Sequence, residues 1–460
     1  MRAAALLVVT AVVTVVACGP RAREVEGHLV IFFDTDAPLP VTGSELGVDR
    51  PMPLLDTIAF EIVDRRGVRL CDGCARAFSI DAVQVDAGAS FVIRGGLSPS
   101  DARLHVRAFR AEDGDAADAA IRAWALLPPP PERGARVLTL HLSIARFGSK
   151  VGSLEDPIAF AEGAPRRPRA VHPAVVRREC TAEPRAQTAC VPSGVFWMGR
   201  AHEVANPFIM RPRIVGLRPF FIDRHEVTVR EFRRAGGTAI AHSGRLDGDS
   251  ARDFCTFTAE PGRFEDYPVN CVEWADARAY CVGRGGDLPT EAQWEYVASS
   301  TRSFPYPWGR DRPSCADVVF HRGPRAAPWV PVFDQFGRDC LPDPAVEPPF
   351  DQLGFPKAAL RPDHGRDVMR LPSGDVVDLI GNVAEWVRDD FDEATGPCWR
   401  DLEFQIEPVC AGDARQHAIR GTAWSSATVD GQVAAFRQPV GVSAAVAGLA
   451  IGFRCVYPGT

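Results

Sequence analysis

The segment D-L-I-G-N-V-A-E-W, residues 378–386, constrains this chain more than any other stretch. Gly381 supplies backbone freedom, Asn382 an amide, Asp378 and Glu385 carboxylates, and Trp386 an indole, a mixture that an ordinary helix does not require. R-G-T-A-W at 420–424 and G-F-R-C at 452–455 echo it further along. The residues alone leave two readings open. In one, the carboxylates, the Asn382 side chain and carbonyls near the glycine give a hard cation the roughly six to eight oxygens it takes. In the other, the segment is a loop pinned by a buried tryptophan, its polar groups satisfied by their neighbours.

The start of the chain bears on where it works. One early arginine is followed by an almost unbroken apolar run from Ala3 to Ala17 that ends in V-V-A-C. The run is too short to span a bilayer and reads as a bacterial lipoprotein signal over residues 1–17, with Cys18 lipidated and residues 18–28 as a tether. An ordinary secretory peptide cleaved nearby is the alternative. Either way the expected location is outside the cytoplasm, in the bacterial envelope, with the membrane as a partner through the lipid. Cysteine usage agrees, because twelve of the thirteen cysteines follow Cys18 and an even number in an exported chain points to disulfides. Cys71 and Cys74 form C-D-G-C with no second pair to complete a zinc cluster, so a disulfide across a turn is expected. Cys180 and Cys190 are close enough in sequence to close a short loop. The formal charge of −7, with Arg and Lys spread along the chain, argues against a nucleic-acid partner.

The 460 residues exceed what one hydrophobic core usually holds. Over residues 29–147, short β-branched and aromatic runs such as L-V-I-F-F, I-A-F-E-I-V and V-L-T-L-H-L-S-I alternate with Gly, Pro and Asp turns. That rhythm predicts an all-β domain, an antiparallel sandwich of about seven strands. Residues 148–189 shift towards Pro, Arg and Ala and predict a linker. Beyond it, T-V-R-E at 228–231 and T-E-A-Q at 290–293 are capping boxes that predict helix starts. Trp294, Val297 and Ala298 would face a core from the second helix, and Trp274, Ala277 and Cys281 show helical spacing between the two.

Further signals follow in order: V-P-S-G-V-F-W-M-G at 191–199, F-F-I-D-R-H-E-V-T at 220–228, Y-P-V-N-C-V-E-W at 267–274, L-P-T-E-A-Q-W-E-Y at 288–296 and Y-P-W-G at 306–309. With G-N-V-A-E-W and G-F-R-C they resemble the formylglycine-generating enzyme family, also called sulfatase-modifying factor domains, over 190–460. The resemblance implies a compact α/β domain related to the C-type lectin fold. Active members of that family oxidise a substrate cysteine with two reactive cysteines placed after R-G-G-S-[W/Y]. Those positions are Ser426 and Gly431 here, and no cysteine lies between Cys410 and Cys455. A serine lacks an accessible thiolate and a glycine has no side chain, so the resemblance implies a non-catalytic relative. It also implies structural calcium, at one site held by Asp378, Gly381, Val383 and Glu385 and at another beginning near Asp317 and Val318. The expected function is an exported lipoprotein whose C-terminal module binds an unknown protein or glycan. A metal-dependent oxidative enzyme of altered chemistry is the alternative, and it requires three converging His, Asp or Glu side chains.

Overall fold

A computed structural model describes residues 13–15, 27–41, 52–94, 101–113, 120–200, 208–243, 251–314, 316–320, 356–412, 415–426, 433–441 and 450–460. The chain divides into two compact units, one formed by residues 1–177 with 212–214 and 402–405, the other by the remainder of 178–460.

The first unit is β-rich. Its strands are β1 (Val13–Val15), β2 (Gly27–Asp34), β3 (Thr57–Val63), β4 (Ala75–Ser79), β5 (Ser90–Arg94), β6 (Arg103–Phe109), β7 (Ile121–Leu126), β8 (Gly134–His141), β9 (Lys150–Val151) and β10 (Ala161–Glu162). They form two five-stranded sheets, ordered β1-β5-β2-β8-β10 and β4-β3-β6-β7-β9. In β2, Leu29, Ile31 and Phe33 are buried and alternate with half-buried neighbours, the period-two pattern of a strand with one core face. The inner faces meet through aromatic rings, Phe60 of one sheet stacking at 4.5 Å on Phe91 of the other, which in turn stacks at 5.3 Å on Phe33 of its own sheet.

Two features depart from the antiparallel sandwich of about seven strands. The sheets are mixed, since β2 runs parallel to β8 over eight residue pairs. That pairing joins segments separated by the rest of the unit, which strand rhythm does not reveal. The segment expected to be a linker also contributes edge strands, β9 beside β7 and β10 beside β8. Two-residue strands have too little length to show a period. Within the expected leader, Val13–Val15 lies parallel to β5, while Cys18 falls outside the described residues.

Among its described residues the second unit mixes small sheets with three α-helices. Its strands are β11 (Thr188–Val191), β12 (Gly194–Met198), β13 (Arg213–Leu217), β14 (Phe220–Asp223), β15 (Val368–Met369), β16 (Val376–Val377), β17 (Ala384–Asp390), β18 (Gln405–Ile406), β19 (Gln416–Arg420), β20 (Arg437–Gly441), β21 (Ile451–Gly452) and β22 (Val456–Pro458). After the short helix α1 (Ala82–Asp86) of the first unit come α2 (Val229–Arg234), α3 (Trp274–Gly283) and α4 (Glu291–Ala298). Both capping boxes form. The Thr228 hydroxyl accepts from the Glu231 N–H at 3.2 Å and the Glu231 carboxylate accepts from the Thr228 N–H at 2.9 Å, with the same exchange between Thr290 and Gln293. Trp294, Val297 and Ala298 are fully buried, but so are Glu291 and Glu295, so α4 is enclosed on nearly all sides rather than on one face.

The sheet that positions the opening segment is ordered β20-β19-β17-β21. Its centre, β17, pairs antiparallel with β19 and parallel with β21, which brings A-E-W, the arginine of R-G-T-A-W and the glycine of G-F-R-C side by side. Among the described residues no helix is long and apolar enough to cross a membrane.

Candidate functional site

The loop before β17 wraps a single carboxylate. Buried Asp367 accepts from the N–H groups of Leu379 at 3.1 Å, Ile380 at 2.9 Å and Gly381 at 3.0 Å. Gly381 is required by close approach, since a Cβ there would lie 2.3 Å from the Val318 side chain. Asn382 follows with φ 71°, a left-handed conformation that asparagine tolerates better than most residues. Its amide oxygen accepts from the Lys357 N–H at 2.7 Å, and its NH2 donates to Glu226 at 3.0 Å.

R-G-T-A-W closes over this loop. The Thr422 hydroxyl donates to the Ile380 carbonyl at 2.7 Å and the Trp424 N–H to the Asn382 carbonyl at 2.8 Å. Trp424 then stacks on Phe254 at 5.4 Å. Two residues on, half-buried Ser426 turns its hydroxyl back to accept from the Ala423 N–H at 3.0 Å. Gly431 lies outside the described residues.

The residues expected to hold calcium are brought together, but their carboxylates are engaged by the chain's own donors. Arg361 meets Asp378 with two N–H groups, at 2.9 and 2.5 Å, and His364 Nδ1 lies 2.8 Å from the same carboxylate. Arg454 forks onto Glu385, and the Trp294 indole donates to that carboxylate at 3.0 Å. At the other expected site, Arg366 binds Asp317 at 2.7 and 3.0 Å, and the Ser314 hydroxyl donates to it at 2.6 Å. Gly381 and Val383 enter the expected site through their backbone carbonyls, with the Val383 side chain buried in the core. A guanidinium bonded directly to each of these carboxylates does not fit a calcium site, whose ligands are oxygens. Asp392, Cys398 and Cys410 also converge, but the two sulfurs are bonded to each other and offer no thiolate.

Charge balance follows from this pairing. Burial acts against the Asp378 carboxylate, yet Arg361 and His364 outweigh it and hold the pKa below the ordinary value. Burial, reinforced by Asp378, pushes Asp367 up to about 7 and Glu226 well above the ordinary range. Asp378 is thus held in its charged form beside Arg361, while Asp367 and Glu226 keep their protons more readily than ordinary carboxylates, and Glu226 keeps one buried oxygen without a hydrogen-bond partner. A second buried network joins α4 to the next strands, where Arg437 grips Glu291 at 2.6 and 2.7 Å and Arg420 contacts Glu291 and Glu295. Sequence reasoning passed over Glu226, Asp367, Glu291 and Glu295. The available signal was the recurrence of arginine in R-G-T-A-W and G-F-R-C, each needing a buried anion.

The cysteines are closed as well. Disulfides join Cys71 to Cys74, Cys180 to Cys190, Cys255 to Cys271, Cys281 to Cys455 and Cys398 to Cys410, which accounts for every cysteine among the described residues.

An "Inactive C-alpha-formylglycine-generating enzyme 2" of Bos taurus is 28% identical over 198 residues, 41% of this chain and 50% of that protein. A formylglycine-generating enzyme of Thermomonospora curvata is 30% identical over 156 residues, covering 26% of this chain and 52% of that one. The chain thus spans about half the length of these relatives. Among solved structures, PvdO from Pseudomonas aeruginosa aligns with 58% of this chain and 93% of its own, at 21% identity and a TM-score of 0.38. The sequence pattern of the sulfatase-modifying factor enzyme 1-like domain matches residues 173–458, more than half of the chain, and the chain belongs to that family.

Proposed function

We propose that this is an exported, lipid-anchored protein of the bacterial envelope whose formylglycine-generating-enzyme-like domain is non-catalytic and serves to bind a protein or glycan. The observation that carries the non-catalytic reading is that no cysteine among the described residues offers a free thiol. Ser426 stands where the family resemblance places the first reactive cysteine, its hydroxyl is tied to the Ala423 N–H, and all described cysteines are locked in disulfides. Thiol oxidation needs a thiolate that can reach its substrate or a soft metal. The name of the Bos taurus relative, an inactive paralogue, supports the same reading.

The scaffold is retained although the thiols are not. Buried ion pairs at Asp378, Glu385 and Glu291 fix the loop before β17, the end of the chain and helix α4 in place, the rigid support that a binding surface built from loops requires. The test is to incubate the purified chain with a cysteine-containing sulfatase peptide, copper and oxygen, and to follow the peptide by mass spectrometry. The expected result is no formylglycine above the protein-free control, and turnover would overturn the proposal.

A further inference from the structure

The sheet β4-β3-β6-β7-β9 of the first unit carries an unusual line of charge on its outer face. Cross-strand register sets Ala77 opposite Ala59, Ala59 opposite Arg107, Arg107 opposite Arg122 and Arg122 opposite Lys150. Three cations therefore occupy one row on three adjacent strands, where like charges directly opposite each other destabilise a sheet. The next row on the same face runs Ala75, Glu61, His105 and Trp124, with the His105 ring stacked on Trp124 at 4.1 Å.

The alanines leave room beside the row. A cleft of about 360 Å³ is lined by Ala59, Ala75 and Ala77 and bordered by Arg69 and Arg107. Glu61 also lines it, and accepts from Arg69 Nε at 2.8 Å. Burial, followed by the charge of Arg107, pushes the His105 pKa down to about 4, with Arg122 and Lys150 acting in the same sense against Glu61. At neutral pH the ring is therefore uncharged and offers one N–H donor and one acceptor nitrogen.

We propose that this cleft binds an anionic saccharide bearing carboxylate or sulfate groups. Guanidinium forks match the geometry of such oxyanions, and a neutral imidazole beside them suits sugar hydroxyls, which both donate and accept. The volume falls in the range of small-ligand clefts. A concave site lined by alanine also suits a discrete ligand better than the plane of a membrane. The proposal concerns the first unit and stands apart from the reading of the second.

The full chain is titrated calorimetrically with a heparin-derived tetrasaccharide, with neutral maltotetraose and with phosphatidylglycerol vesicles. Saturable binding of the sulfated sugar alone is expected, weakened about tenfold by Arg107→Ala and by added salt that screens the charges. Ala77→Glu, at an exposed edge-strand position, places a carboxylate at the cleft and is expected to weaken binding comparably, with circular dichroism confirming the fold of both variants. Equal binding of the neutral sugar, or binding indifferent to both substitutions, overturns the proposal. Binding of vesicles without the tetrasaccharide also overturns it, in favour of a membrane-facing surface.

Discussion

Arg454 and Glu385 are joined by three contacts in a fully buried setting, Nε to both carboxylate oxygens at 2.9 Å and Nη2 to one of them at 2.6 Å. Nη2 also reaches the carbonyls of Val377 and Asp378, and Nη1 that of Asp223. One guanidinium therefore ties β17 to the end of β14 and to the loop around Asp367. Arg454→Met would leave Glu385 buried without its cation, and breaking such a pair costs about 3–5 kcal/mol. Urea unfolding followed by tryptophan fluorescence is expected to show a loss of that order, with part recovered when Glu385→Leu removes the other charge.

Calcium is expected to be without effect on stability. Stabilisation by an ion requires a native site that prefers it, and the carboxylates of Asp378, Glu385 and Asp317 already face Arg361, Arg454 and Arg366. Melting curves in calcium and in chelator should coincide. A higher melting temperature with calcium would show that the ion displaces these guanidiniums.

Acidity should act in two opposite ways. Burial raises Asp389, like Asp367, to about 7 from an ordinary 3.8. A folded-state pKa above the unfolded value contributes stability that is complete below the unfolded value and lost as pH rises through the folded one. The urea midpoint is therefore expected to fall from about pH 4 to about pH 7, and Asp389→Asn to flatten that fall. Asp317 behaves in the opposite sense, because hydrogen bonds from Arg366 and Ser314 hold it at about 2. Its contribution is present above 3.8 and disappears on acidification towards 2.

The Cys281–Cys455 disulfide spans 174 residues of sequence. Cross-links closing long loops restrict the unfolded chain most, and losing a native one typically costs about 2–5 kcal/mol. Paired substitution of both cysteines by serine should lower the melting temperature more than the same change at Cys71 and Cys74, which are three residues apart.

Lipid attachment can be read directly. Cys18→Ser in the expressed full-length protein should move it from the detergent phase to the aqueous phase, since the buried methylenes of an acyl chain contribute about 0.8 kcal/mol each. An unchanged detergent fraction would remove the anchor from the proposal.

The features legible in the sequence were those whose partners lie within a turn or two of each other. Thr228 and Thr290 announced their helices because the capping partner is three residues away, and the inward residues of β2 and β6 followed from alternation. The buried charges were not legible. Glu291 sits beside a capping threonine like any exposed first-turn acid, and only the distant Arg437 and Arg420, set side by side by the β19–β20 pairing, make its burial tolerable. Asp367 likewise lies in a stretch without periodicity, and its role depends on three N–H groups supplied by a loop more than ten residues later.

The position of Arg454 also imposes an order on assembly. Synthesis delivers the chain from its N-terminal side, so Glu385 is available well before the cation that neutralises it. Until residue 454 arrives, the central strand of the sheet would have to bury an uncompensated carboxylate, and β22, which pairs with β14, is missing too. Completion of this domain is thus a late event, and a chain cut anywhere before G-F-R-C should persist as a protease-sensitive species rather than as a smaller folded domain.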